Sequence, residues 1–209
     1  ICGITQAEAL KAAANAGASY AGLVFYQNSP RYLSYARAAA LMQYKPEQLK
    51  TVGLFVDPDD AQLDRALAQV NLDMIQLHGA ERPQRVKNIR ARTKLPVMKA
   101  LPVARPDDLA AIEKYDLVCD WLLFDAKPVQ ATDNPGGGGR PFNWALLHDV
   151  RPQVPWMLAG GLNVENIHDA LDILSPDAVD ISSGVELKRG KKDVQMITEF
   201  IRTVSSLCT

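Results

Sequence analysis

The chain has 209 residues, 47% hydrophobic and 22% charged, enough for one domain with a sizeable core. A formal net charge of -1, with Lys and Arg scattered rather than striped, gives no footing for a nucleic-acid partner. No apolar run reaches the roughly 18 residues of a membrane span, no signal-peptide pattern opens the chain, and three widely spaced cysteines form neither a disulfide framework nor a zinc knuckle, so a cytoplasmic setting is expected.

Strand-like apolar runs alternate with helix-like amphipathic segments. The first strand is a stub at 1–2 that ends in Cys2; because Ile1 is not an initiator methionine, this strand is expected to be truncated at its N-terminus. A thiol at a strand end is either an inert core group or, facing a catalytic mouth, a base or nucleophile. Thr5-Gln6-Ala7-Glu8 reads as a capping box for a helix at 6–16. A strand at 20–25 leads into Asn28-Ser29-Pro30-Arg31-Tyr32. The Arg31 fork suits a planar carboxylate, with Tyr26 and Tyr32 flanking an aromatic ring; a solvated loop arginine is the plainer alternative.

A helix at 35–44 precedes a strand at 51–56, and Asp57-Pro58 reads as the capped start of a helix at 58–70. The strand at 73–77 runs into His78, which has no second ligand at metal spacing. It reads equally as a substrate hydrogen-bonding group or a satisfied core histidine. After a helix at 82–92, the strand at 96–101 carries Lys99 within an apolar run. Lys99 must point to the catalytic mouth or pair with an acid, and Asp180 is its expected class of partner. A helix at 106–114 and Cys119, a small core residue, precede the strand at 120–125, which ends in Asp125. That carboxyl either caps the loop or, in a partly dry cavity, acts as an acid of raised pKa.

The segment 126–140 ends in Asn134-Pro135-Gly136-Gly137-Gly138-Gly139-Arg140. Too glycine-rich for a core, it is expected to be a flap that folds over a ligand, with a surface linker as the alternative. A helix at 143–149, a strand at 155–159, a helix at 164–174 capped by Asn163, a strand at 178–182 and a helix at 193–206 complete the series. His148 and His168 read as surface groups and Cys208 as part of a frayed tail.

Two turns in the last third carry the most information: Leu158-Ala159-Gly160-Gly161-Leu162 and Ile181-Ser182-Ser183-Gly184-Val185. Each joins an apolar run to a helix-like segment, where glycines expose N–H groups and a helix N-terminus favours an anion. Together they would form a cup for one phosphate; two ordinary tight turns are the alternative.

Eight strand–helix units predict an α/β fold, a (β/α)8 barrel in one domain spanning 1–209. Strands such as Val52-Gly53-Leu54-Phe55-Val56 are continuous apolar runs, as parallel strands covered on both faces require. A doubly wound sheet competes, but Cys2-Gly3-Ile4-Thr5 is no phosphate-binding fingerprint after a first strand.

Taken in order, Ile1-Cys2-Gly3-Ile4-Thr5, Val24-Phe25-Tyr26 with Ser29-Pro30-Arg31-Tyr32, Gln76-Leu77-His78-Gly79, Leu123-Phe124-Asp125, the Gly136–Gly139 run with Phe142-Asn143-Trp144, Leu158 to Asn163, and Val179 to Glu186 form an ordered set. That set resembles the phosphoribosylanthranilate isomerase family. The resemblance implies an isomerase of tryptophan biosynthesis that converts a phosphosugar-anthranilate conjugate by an Amadori rearrangement, without cofactor or metal, as a monomer or homodimer. It further implies Cys2 as general base, Asp125 as general acid, Arg31 as the anthranilate anchor, His78 as a substrate contact, and Gly160, Gly161, Ser183 and Gly184 as the phosphate cup. A bell-shaped pH dependence follows, with Cys2 on the acid limb and Asp125 on the alkaline limb. The sequence departs from the family pattern in lacking residues ahead of Ile-Cys-Gly and in its four-glycine run, where Gly-Gly-x-Gly is usual. The competing classes are a barrel that only binds a sugar phosphate and a different phosphosugar isomerase or epimerase.

Overall fold

In the computed structural model, which describes residues 1–127 and 141–207, seven parallel strands lie side by side in chain order. They are β1 (Tyr20–Val24), β2 (Lys50–Phe55), β3 (Met74–Leu77), β4 (Val97–Val103), β5 (Trp121–Ala126), β6 (Trp156–Leu158) and β7 (Ala178–Val179). The helix α1 (Ala7–Ala16) precedes β1, and α2 (Tyr35–Met42), α3 (Asp60–Gln69), α4 (Pro83–Thr93), α5 (Ile112–Tyr115), α6 (Ile167–Ile173) and α7 (Val194–Leu207) fall between or after the strands. Two short 3₁₀ turns, Pro106–Ala111 and Trp144–Leu147, follow β4 and β5. The expected flap, Gly136, Gly137, Gly138 and Gly139 included, lies outside the described residues, as does Cys208.

Residues 1–2 join the two edges of the sheet. Cys2 pairs in parallel with Gly22 of β1, and its N–H donates to the Ile181 carbonyl beyond β7 at 2.9 Å. Residues 1–2 thus fill the eighth place in the ring of the (β/α)8 barrel, between β1 and the segment after β7.

Side chains alternate across each strand, so one parity fills the barrel and the other meets the helices. Val52, Met74, Met98, Leu123 and Met157 pack together as the interior cluster. Leu23, Ile75, Leu77, Leu122, Phe124 and Leu158 join the helix residues Leu10, Leu63, Val86, Ile89 and Phe200 in the main core. This double burial is why the strands read as unbroken apolar runs. It also corrects the expectation for Lys99. Its neighbours on β4, Met98 and Ala100, belong to the interior cluster, so Lys99 faces the helix layer. There its Nζ donates to Glu81 Oε2 at 2.7 Å and the Gly79 carbonyl at 2.6 Å, and Asp180 is not its partner.

Three caps differ from expectation by small offsets. α1 begins at Ala7 with Gln6 as an unassisted N-cap, which leaves Glu8 one position short of closing a box with Thr5. In α3 the reciprocal box is Asp59 with Gln62, at 2.6 and 3.0 Å. Asp57, at φ 46°, instead accepts the Ala80 N–H at 2.8 Å. Asn163 accepts from the Glu165 and Asn166 N–H groups at 2.9 and 3.0 Å, in a turn ahead of α6. The sequence also gave no warning of an antiparallel hairpin, β8 (Glu186–Lys188) with β9 (Lys191–Lys192), inserted before α7.

Candidate active site

Inward parity at the carboxyl ends of the strands delivers polar side chains to one pocket, where Cys2, Arg31, His78, Asp125, Gly160, Gly161 and Ser183 all line the wall. These residues, separated by up to 181 positions (183 − 2), come together as the sequence predicts. Tyr26 lines the pocket as well. Tyr32 borders a different surface cleft, beside Tyr35 and Arg65, so it does not flank this cavity.

Cys2 is 8% exposed, on the seam between β1 and the turn beyond β7. Burial pushes its thiol up to about 12, and Asp180 adds to the rise, while Lys192, the Ile1 amino group and Arg31 oppose it. The resting cysteine is therefore a thiol. Asp180, the interior carboxyl next to it in the pocket wall, is itself raised by burial, with Asp125 adding to the rise against the Ile1 amino group, Lys192 and His78.

Asp125, the inward residue near the end of β5, is 6% exposed. Its Oδ1 accepts the Ala126 N–H at 2.8 Å, and its Oδ2 lies 3.2 Å from His78 Nε2. The other ring nitrogen, Nδ1, lies 3.1 Å from Gln76 Nε2. An amide N–H donates only, so Nδ1 accepts and the ring proton sits on Nε2, aimed at Asp125. Gln76 and His78 are two residues apart on one strand face, a spacing that was visible in the sequence as Gln76-Leu77-His78.

Arg31 is buried, and its fork is already engaged: Nε and Nη2 donate to Glu186 Oε1 and Oε2 at 2.7 and 2.9 Å. The two-pronged grip expected for a ligand carboxylate is made with Glu186, which leaves Nη1 as the unengaged donor among the described residues. Glu186 also accepts from Lys192 Nζ at 2.9 Å and the Gly190 N–H at 3.1 Å. Burial works to raise the Glu186 carboxyl, but the bonds from Arg31 and Lys192 outweigh it and hold the group below its ordinary range. Lys192 was missed because Lys188-Arg189-Gly190-Lys191-Lys192 reads as a solvated charge run.

The two glycine turns border the same pocket. Gly160 and Gly161 adopt φ of +86° and +71°, and a Cβ on Gly160 would sit 2.5 Å from the Ala126 nitrogen. Gly184 does not line the cavity. A Cβ there would overlap the Leu162 carbonyl oxygen, so its smallness lets the two turns stack against each other. Neither turn runs directly into a helix: α6 starts only at Ile167, and the second turn enters a 3₁₀ segment, Ser183–Val185, and then the hairpin. The backbone bordering the pocket at these positions is turn rather than helix end. Among the described residues, no three His, Cys, Asp or Glu side chains cluster to hold a metal ion, and no helix is long and apolar enough to cross a membrane.

Residues 1–203 match the family model described as N-(5'phosphoribosyl)anthranilate (PRA) isomerase. An N-(5'-phosphoribosyl)anthranilate isomerase from Paracoccus denitrificans is 52% identical over 201 residues, covering 96% of this chain and 94% of the relative. One from Paramagnetospirillum magneticum is 50% identical, covering 97% and 94%. The crystal structure of phosphoribosyl anthranilate isomerase from Thermotoga maritima superposes with a TM-score of 0.88 at 34% identity, covering 99% of this chain and 97% of that one. A phosphoribosyl anthranilate isomerase crystallised with reduced 1-(o-carboxyphenylamino)-1-deoxyribulose 5-phosphate superposes at 0.85 with 32% identity, covering 98% and 96%. Matched from end to end in both sequence and fold, the chain belongs to the N-(5'-phosphoribosyl)anthranilate isomerase family.

Proposed function

We propose that this pocket converts N-(5′-phosphoribosyl)anthranilate to 1-(2-carboxyphenylamino)-1-deoxy-D-ribulose 5-phosphate, with Cys2 and Asp125 moving the protons. The supporting observation is that a thiol and a carboxyl from opposite parts of the chain face one cavity, whose wall also carries the glycine turns. Asp125, protonated, gives its proton to the furanose ring oxygen as the C1′–O bond breaks, leaving a protonated imine. Cys2 as thiolate then takes the proton from C2′, and the electron pair left behind forms an enolamine that tautomerises to the ketone. The backbone of Gly160, Gly161 and Ser183 holds the phosphate, with Gly184 packed behind it, and Arg31 Nη1 meets the anthranilate carboxylate. His78, with its proton fixed on Nε2, holds Asp125 in place beside the sugar. The family activity places the chain in tryptophan biosynthesis.

For assembly, the reading is a monomer or a homodimer; a solved structure of monomers generated from a dimeric phosphoribosylanthranilate isomerase of Thermotoga maritima, similar at a TM-score of 0.84, is compatible with either. The free thiols Cys2 and Cys119 support a reducing cytoplasm.

Cys2→Ala and Asp125→Asn test the scheme. Each is expected to lower kcat by about 10²–10⁴-fold, the usual worth of one proton transfer, while a reduced product analogue still binds. Near wild-type turnover in either variant removes the role assigned to that residue.

A further inference from the structure

The reaction scheme gives no work to the most thoroughly buried cation at the pocket. Lys192 has 0% side-chain exposure, although Lys188, Arg189 and Lys191 beside it in the chain are exposed. Burying an ammonium costs several kcal/mol unless its protons are all satisfied. Here they are: Nζ donates to the Ser182 carbonyl at 2.7 Å, Ser182 Oγ at 3.1 Å and Glu186 Oε1 at 2.9 Å. Ser182 passes its own hydroxyl proton to the Cys2 carbonyl at 3.1 Å. Glu186 in turn grips Arg31 through two bonds. One hairpin thus reaches the Cys2 carbonyl by way of Ser182, the turn beyond β7 and the arginine, without itself lining the cavity at Glu186 or Lys192.

We propose that β8–β9 is a positioning device for the reaction: Lys192, through Ser182, fixes Cys2 against the phosphate-side turn, and Glu186 aims Arg31. The proposal rests on the reading of Cys2 as base and Arg31 as anchor. Electrostatics run the same way. The charged groups facing Cys2 are Asp180 beyond β7, Lys192 on β9, Arg31 after β1 and the Ile1 amino group, and Lys192 is the first-ranked of the cations that favour the thiolate. Packing that charge beside the thiol costs desolvation, which lowers the Lys192 ammonium against the pull of Glu186. A buried cation maintained at that cost, with each proton aimed at a site element, is more than a surface lysine folded inward.

The experiment compares Lys192→Met, which keeps the stem and removes the charge, with Glu186→Gln in the full chain. For Lys192→Met, alkylation of Cys2 by iodoacetamide at pH 9, read by peptide mass, is expected to slow by about tenfold, and kcat to fall by about tenfold with little change in KM. For Glu186→Gln the split reverses, with KM rising about tenfold and kcat changing far less. Should Lys192→Met fail to fold, Ser182→Ala removes the hydroxyl that joins Lys192 Nζ to the Cys2 carbonyl and is expected to slow alkylation by about threefold. Unchanged alkylation in a folded variant overturns the device, as does an equal loss of kcat and KM in both. Slowed alkylation with full turnover upholds the link to Cys2 and instead refutes Cys2 as the base, so the two failures are distinguishable.

Discussion

Cys2 and Asp125 must be in opposite states for the chemistry to begin, one having lost a proton and the other having kept it. Burial pushes the Cys2 thiol up to about 12, so its thiolate forms far on the alkaline side. Alkylation of Cys2 in the free enzyme is expected to keep accelerating up to about pH 10 as its thiolate fraction grows; a plateau between pH 7 and 9 would contradict the assignment. The residue types at Cys2, His78 and Asp125 were legible because each ends or directly follows an apolar run, and Arg31 because it sits in the loop after one, between Pro30 and Tyr32. Their electrostatics were not. Asp180 and Lys192, which set the field at the thiol, sit in stretches whose pattern marks one as an ordinary strand residue and the other as solvent-exposed.

The elements that carry these residues depend on close backbone approach. Gly160→Ala would place a methyl against the Ala126 nitrogen and 3.1 Å from Asp125 Oδ1, at a φ that L-residues avoid. The expected result is a loss of about 1–3 kcal/mol in denaturant stability, with KM raised more than kcat is lowered, since the turn must retreat from the pocket. A fully stable, fully active Gly160→Ala would show that the turn tolerates the shift. Most strands and helices were readable from periodicity, because the parallel strands are buried on both faces and the helices on one; the helix expected at 143–149 is instead a short 3₁₀ turn, Trp144–Leu147, and the one expected at 106–114 is 3₁₀ over Pro106–Ala111 before the single turn of α5. Element starts were harder: the boxes at Thr5 and Asp57 were misread by one and two positions, since several Asp, Thr and Gln residues near each start compete for the same N–H groups. The hairpin was invisible because its strands of three and two residues carry no alternation.

For the molecule as a whole, the buried acids pull stability in opposite directions as pH changes. Glu186 is held low in the fold, so its contribution is complete above the unfolded glutamate range, about 4.3, and disappears as pH falls through its folded value. Asp180 is held high, so ionising it costs stability as pH rises from the unfolded aspartate range through its folded value. Thermal melts of Glu186→Gln and Asp180→Asn at pH 7 and pH 3 are expected to show the first destabilised and the second stabilised at pH 7, each by about 2 °C or more, with both differences shrinking at pH 3. Shifts of the same sign at pH 7 would mean that the ion network does not work in this way.

The amide that lets the barrel close belongs to the very residue expected to strip the proton from the sugar. Breathing where the first and last strands meet is therefore transmitted, undiluted, to the reactive sulfur. Heat or denaturant that parts this joint slightly would silence the enzyme while most of its helices and strands stay intact, so catalysis reports on the weakest stitch of the ring rather than on its average strength.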